Sequence, residues 1–192
     1  MREFAPVMTR ETKRVLCIAG SLRRDSWNRR LLAAACGLSL DGLSLYLYER
    51  LSQVPMFSED LEVEPSPDVE HLRDEVRTCD GLLLATPEYN HSLPAVLKNV
   101  VDWLSRGDPN CLHGKPVAII GATVGNWGTR LAQAALRQTL LATGARVMIE
   151  PMLFIARAPT CFNARGELSD PTVAGALTGV LRAFEPWMTS SA

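Results

Sequence analysis

The sequence predicts an α/β fold: a five-stranded parallel sheet, order 2-1-3-4-5, between two layers of helices. Three observations carry this. Strand signals alternate with helix signals five times, with no internal repeat and no linker. The strand signals are continuous apolar runs rather than alternating ones, the pattern of strands buried on both faces of a parallel sheet. The segments with unusual chemistry, 20–28, 86–93 and 121–129, all follow strands, on the rim where open α/β sheets bind ligands. Parallel neighbours require right-handed crossovers, which place helices on both faces.

The elements follow in order. Val15-Leu16-Cys17-Ile18-Ala19, closed by Gly20, is the first strand, and the Leu- and Ala-rich stretch Asn28–Cys36 is the first helix. Leu43–Tyr48 is the second strand. Residues 52–67 carry three prolines and several acids and read as a surface loop. Asp68–Cys79 places Val69, Leu72 and Val76 on one helical face. Gly81–Thr86 is the third strand, ending in a turn at Pro87. Pro94–Arg106 is a helix with Pro94 in its first turn and Leu97, Val100, Val101 and Leu104 at i, i+3, i+4 and i+7. Pro116–Ile120 is the fourth strand, closed by Gly121. Arg130–Thr143 is a helix ended by Gly144, a residue suited to the left-handed position after a helix. Arg146–Phe154 is the fifth strand, interrupted near Pro151, and Thr172–Met188 is the last helix. This is the flavodoxin-like arrangement.

A length of 192 residues fits one domain at about 100–200 residues per domain. The polar stretch before the first strand reads as a flexible lead-in over 1–13, with Met8 an alternative start, and 14–192 as the folded unit. The net charge of −1 gives no reason to expect nucleic acid or an anionic membrane as partner. With 47% hydrophobic and 21% charged residues the chain is globular rather than disordered. No apolar run approaches a membrane span. Its five cysteines, Cys17, Cys36, Cys79, Cys111 and Cys161, are widely spaced without C-x-x-C. That excludes a disulfide scaffold and a zinc site and fits a reducing, cytoplasmic setting.

The first loop, Gly20-Ser21-Leu22-Arg23-Arg24-Asp25-Ser26-Trp27-Asn28, joins a buried strand to a helix. Free N–H groups at such a helix start attract an anion, Ser21, Ser26 and Asn28 add neutral hydrogen bonds, and Arg23 or Arg24 adds a charged one. We read it as a phosphate cradle. Ser26 taken alone reads as a helix cap, and Arg24 and Asp25 as exposed. The loop is neither G-x-x-x-x-G-K-[ST] nor G-x-G-x-x-G. Cys17-x5-Arg23 raises a rival, because low-molecular-weight tyrosine phosphatases place a thiolate nucleophile in this way. Against it, Cys17 sits inside the strand and Arg23 is followed by Arg24 rather than Ser or Thr. Neither Asp108-Pro109 nor Asp170-Pro171 carries the aromatic expected after the general acid. The second loop, Pro87-Glu88-Tyr89-Asn90-His91-Ser92-Leu93-Pro94, is fixed by two prolines. Its oriented backbone groups can read a flat heteroaromatic ring, with Tyr89 against the face or edge.

Taken together, Gly20-Ser21-Leu22-Arg23 with Ser26 and Asn28, Pro87-Glu88-Tyr89-Asn90 with Ser92 and Pro94, and Leu97-Lys98-Asn99 with Asp102-Trp103 and Ser105-Arg106 resemble the NADPH-dependent FMN reductase family. That family includes quinone, azo-dye and chromate reductases. The resemblance covers about 15–144. It implies a flavodoxin-like fold holding FMN non-covalently, with Ser21, Arg23, Ser26 and Asn28 on the phosphate. Pro87, Glu88, Tyr89 and Asn90 would line the ribityl chain and isoalloxazine edge. The third loop, Gly121-Ala122-Thr123-Val124-Gly125-Asn126-Trp127-Gly128, would reach the pyrimidine end of the ring, placing Thr123, Gly125, Trp127 and Gly128 at the cofactor. This loop departs from the family: Thr123-Val124 replaces Ser-Pro, Thr129 replaces a Gly, and Leu131 stands where many members have Arg. Trp127 reads either as a wall of the pocket or as a residue packed on a neighbouring subunit.

The implied activity is hydride transfer from NADPH or NADH to the flavin, and then, after the nicotinamide leaves, to a quinone, azo compound or similar acceptor. The cofactor does this chemistry, so no side chain is assigned as a catalytic acid or base, and no metal is expected. Homodimers or homotetramers are expected from the resemblance. Trp103 and the outer face of helix 94–106 fit either an interface or burial against the same chain. His91 reads as a solvated loop residue, and His71 and His113 as structural. Two alternatives from other classes are a flavodoxin-like electron carrier, for which a charge of −1 is unusually small, and the Cys17 phosphatase.

Overall fold

The computed structural model describes residues 12–107 and 110–190. Most of the expected lead-in lies outside them, but Lys13 is already the first residue of a strand and pairs with Leu43. The strands are β1 (Lys13–Ala19), β2 (Leu43–Leu47), β3 (Gly81–Ala85), β4 (Pro116–Ala122), β5 (Arg146–Val147) and β6 (Leu153–Ile155). The helices are α1 (Trp27–Cys36), α2 (Pro67–Thr78), α3 (Ala95–Leu104), α4 (Arg130–Leu141) and α5 (Pro171–Thr189). The sheet order is β2-β1-β3-β4-β5, with β6 also on β4, and every pairing is parallel.

The apolar runs are continuous because both faces of the sheet are covered. Val15, Cys17, Ala19, Leu83 and Ala85 face α1 and α5, in one cluster with Leu31, Leu32, Leu177, Leu181 and Phe184. Their neighbours Leu16, Ile18, Leu82 and Leu84 face α2, α3 and α4, with Leu72, Val76, Leu97, Val100 and Leu136. A strand residue turned to either side therefore meets a helix, and alternation disappears from the sequence.

The starts of α1, α2 and α5 are set by side-chain caps. Ser26 accepts from the Arg29 N–H at the start of α1. Ser66 caps α2 ahead of Pro67, with Asp68 and Glu70 in the first turn. Asp170 caps α5 through the N–H groups of Thr172 and Val173, ahead of Pro171. Negative charge and hydroxyl acceptors at these positions satisfy N–H groups that have no partner within the helix.

The fifth predicted strand is two short strands rather than one. β5 pairs with Pro116 and Val117 at the start of β4, and β6 with Ile120–Ala122 at its end. Pro151 lies between them, in a stretch off the ladder, and it has no N–H to give the ladder. Side chains of α4 serve carbonyls at the two ends of this stretch: Arg137 Nη1 donates to Met148 O, just after β5, and Gln133 Nε2 to Leu153 O, at the start of β6.

The loop 52–67 contains two short 3₁₀ turns, Leu51–Gln53 and Glu59–Leu61, and it resolves the two readings of Trp103. That side chain is fully buried. Its Nε1 donates to Pro55 O at 2.8 Å, and its ring meets Phe57 edge-on at 5.0 Å. Asn99 completes the seam, donating to Pro55 O and accepting from Phe57 N–H. The Asn99 and Trp103 side of α3 is thus covered by the same chain.

Candidate functional site

The C-terminal ends of β1, β3 and β4 bring the three loops together. Gly20 follows β1 and donates to Ala85 O at 2.7 Å. A Cβ there would lie 2.5 Å from Leu97, so the first loop can run this close to α3 only through glycine. In the second loop Tyr89 and Ser92 exchange two backbone hydrogen bonds. Between them Asn90 and His91 have φ of 50° and 61°, the left-handed pair of a tight hairpin, a conformation that asparagine tolerates. In the third loop Gly128 has φ of +73° and its Cβ position is filled by Phe154. The loop is pinned by Thr123 N–H to Ile155 O and Arg157 N–H to Gly125 O.

A cavity of about 380 Å³ opens between these loops. The first loop contributes Ser21, Arg23, Ser26 and Asn28, the second Pro87, Glu88 and Tyr89, and the third Thr123. Asn90, Gly125, Trp127 and Gly128, expected at the cofactor, do not line it: Asn90 is at the hairpin tip, Gly128 is spent on backbone geometry, and Trp127 is 82% exposed. Three further lining residues, Trp27, Ala122 and Val124, lie in the predicted loops without being singled out as ligands there. Trp27 carries a signal in hindsight, since it lies between two predicted ligands at the first position of α1. Its ring packs on Phe162 at 5.3 Å and beneath the Arg30 guanidinium.

The chemistry of the cavity is that of an anion site. The start of α1 has no acid in its first turn. The N–H groups of Arg24, Asp25, Trp27 and Asn28 find no acceptor among the described residues, whereas Arg23 N–H turns to Ser21 Oγ and Ser26 N–H to Arg23 O. The Arg23 guanidinium makes no ion pair or hydrogen bond among the described residues. Open donors at a helix start beside an unpaired guanidinium suit a phosphate. The Tyr89 hydroxyl lies 3.5 Å from Ser21 Oγ, so the phosphate end adjoins an aromatic wall. The residues present fit the phosphate and ribityl portion of a flavin mononucleotide.

Two predicted ligands hold the loops instead of facing the cavity alone. Asn28 is buried; its Nδ2 donates to Ala122 O and its Oδ1 accepts from Ala122 N–H, both at 2.9 Å. It thereby ties the first loop to the third. Glu88 Oε2 accepts from the N–H groups of Leu131 and Ala132 at 2.9 and 3.0 Å. It caps α4 from a distance, because Thr129, the residue in the cap position, makes no such bond and instead accepts from Gln133 through Oγ1. Glu88→Ala is expected to cost about 1 kcal/mol of stability in urea denaturation, and Glu88→Gln, which keeps an acceptor, to recover most of it. Equal losses in both variants would mean that the negative charge, not the acceptor, is what α4 needs.

Cys17 has none of the properties of a nucleophile. It is fully buried in the middle of β1. Its hydrogen bond with Cys36, followed by burial, pushes its thiol far above the ordinary range, and the same bond lowers Cys36. A thiol held protonated in the core does not attack phosphate.

The sequence model of NADPH-dependent FMN reductases matches residues 13–160. The chain belongs to this family. It is 40% identical over 176 residues to an NAD(P)H-dependent FMN reductase of Pseudomonas aeruginosa, covering 91% of this chain and 95% of that one. It is 36% identical over 160 residues to a quinone reductase of Pseudomonas putida, covering 82% and 86%. Among solved structures, the flavoenzyme NAD(P)H:(acceptor) oxidoreductase of Paracoccus denitrificans superposes with a TM-score of 0.85 at 35% identity, over 93% of this chain and 98% of that one. As a member of the NADPH-dependent FMN reductase family the chain is an oxidoreductase that uses FMN with a reduced nicotinamide nucleotide. The three loops around the cavity fall within the matched residues. No group of three His, Cys, Asp or Glu able to hold a metal occurs among the described residues.

Proposed function

We propose that this chain is an FMN-dependent NAD(P)H oxidoreductase that serves a quinone, azo compound or similar small-molecule acceptor by a ping-pong sequence. The observation that carries the reading is the cavity in which the unpaired Arg23 and the open N–H groups of the first loop meet the Pro87–Tyr89 wall. FMN held in this cavity would supply the redox chemistry, hydride transfer from NAD(P)H to the acceptor in two separate half-reactions. The chain's residues bind and orient. Arg23, Ser21 and the start of α1 hold the phosphate. Pro87, Glu88 and Tyr89 border the ribityl chain and ring edge, with Asn90 setting the hairpin that aims Tyr89. Thr123 closes the other side, and Asn28 and Glu88 keep the walls in register. Pairing hydride donor and acceptor with one fixed ring requires that geometry more than any acid or base. Relatives named for quinone reduction support the acceptor class.

A homodimer or homotetramer fits the apolar side chains left in water next to the cavity, Val124, Trp127 and Leu131, at 64%, 82% and 52% exposure. Coverage by a second copy is the role assigned to Trp127. A cytoplasmic setting is supported by five unpaired cysteines. No helix among the described residues is long and apolar enough to cross a membrane.

The test is the visible spectrum of the purified protein loaded with FMN, before and after NADPH without oxygen. Bleaching is expected, followed by recovery of colour when a benzoquinone is added. A flavin spectrum that NADPH leaves unchanged would favour an electron carrier. A colourless protein that takes up no FMN would overturn the reading altogether.

A further inference from the structure

Three cavities meet at the first loop, and Ser21 and Arg23 line all of them. One is the cavity assigned above to FMN. A second, of about 400 Å³, has apolar walls: Leu51, Val54 and Met56 from the stretch after β2, Pro94 and Val96 from the start of α3, and Tyr89. The third is smaller, about 170 Å³, and is bordered by Arg23, Arg24 and Arg29 together with Glu49 and Ser52. All three surround the first loop, and the small lobe and the apolar lobe adjoin along Leu22, Leu51 and Ser52.

The small lobe carries unbalanced positive charge. Arg29 is paired with Glu49. Asp25, the nearest acid in sequence to Arg24, is paired with Arg30. Arg24 itself makes no ion pair or side-chain hydrogen bond among the described residues. Three guanidinium groups therefore face one carboxylate. With Arg23 turned to the FMN phosphate, Arg24 remains as the uncommitted charge. Planar guanidinium donors at the edge of a cleft are suited to bidentate contact with phosphate. An anion held there would be distinct from the FMN phosphate, because Arg24 and Arg29 do not line the FMN cavity. The apolar lobe, walled by aliphatic side chains and Tyr89, accepts a flat ring.

A ligand with a flat ring at one end and further phosphate at the other fits a groove built this way. We propose that the Arg24–Arg29 lobe is an anion subsite for a phosphate of the reduced nicotinamide dinucleotide, its nicotinamide lying in the apolar lobe beside Tyr89. This rests on the oxidoreductase reading above and adds where the reductant binds. The dinucleotide offers two sources of that phosphate, the ribose 2′-phosphate of NADPH and the pyrophosphate common to NADPH and NADH.

The experiment compares FMN-loaded wild type with Arg24→Gln and Arg24→Glu. The Arg24 side chain is exposed and does not line the FMN cavity, and both variants keep the backbone N–H offered to the phosphate, so both are expected to retain FMN as wild type does, read from the visible spectrum. Calorimetric titration with 2′,5′-ADP and with 5′-ADP, and KM for NADPH and NADH, supply the readouts. Binding weakened about tenfold by Arg24→Gln, and more by Arg24→Glu, supports the subsite. A loss confined to 2′,5′-ADP and NADPH assigns it to the 2′-phosphate, and a loss shared by all four ligands assigns it to the pyrophosphate. Variants that match wild type with every ligand, while NADPH still bleaches the wild-type flavin, overturn the subsite and leave the oxidoreductase reading standing. Wild-type holoprotein that NADPH does not bleach overturns the oxidoreductase reading itself, and the subsite with it.

Discussion

Replacing Asn28 with alanine is expected to destabilise the protein by about 2–6 kcal/mol. The magnitude follows from what is left behind. The Asn28 side chain serves both the N–H and the C=O of Ala122, and these groups lie at the buried end of β4. Stranding a buried polar group costs about 1–3 kcal/mol, and alanine strands two. Asn28→Asp is expected to be no better: a carboxylate accepts from the Ala122 N–H but turns an oxygen toward the Ala122 carbonyl and buries a charge. Urea denaturation of the FMN-free protein measures this. A loss under about 1 kcal/mol in Asn28→Ala would show that the two loops are joined by other contacts. FMN affinity is expected to fall with stability, because the first and third loops then lose their common anchor.

Arg23→Ala is expected to weaken FMN binding by about 10- to 100-fold while leaving stability of the FMN-free protein nearly unchanged. A charge-assisted hydrogen bond contributes about 1.5–3 kcal/mol, and each 1.4 kcal/mol is tenfold in affinity. The Arg23 side chain is exposed and unpaired, so its removal breaks nothing in the empty fold. Dissociation of FMN, followed by recovery of its fluorescence, gives the affinity directly. Arg23→Lys should recover only part of the loss, because an ammonium keeps the charge but not the planar fork. FMN affinity unchanged in Arg23→Ala would remove the phosphate from the first loop. The pair separates two kinds of site residue: Asn28 acts on the scaffold and Arg23 on the ligand.

Much of the fold was legible in the residues themselves. The apolar runs at 15–19, 81–86 and 116–120 announce strands buried on both sides, and the helices between them carry one-sided apolar stripes. Alternation then leaves few topologies, since parallel strands need crossovers of one hand. Alternation also sets three loops on one rim, and their residue types carry the family resemblance. All of these are local or nearly local properties, fixed by backbone preference and by which side chains avoid water.

What only the tertiary structure decided are pairings between residues far apart in the chain. Glu88 has the sequence position of a cofactor ligand, yet it caps a helix more than forty positions on. Asn28 is committed to a strand end 94 positions away. Trp103 is equally plausible by sequence as an interface residue, and it is the 52–57 stretch that covers it. The interruption of the fifth strand near Pro151 is legible in the sequence, but that its two halves pair with opposite ends of β4 is not. Composition and periodicity record whether a side chain is to be buried, and they are silent about which distant donor or acceptor will satisfy it. Hydrogen bonds are directional and short, so a polar residue's task is fixed only when the fold sets its neighbours within about 3 Å.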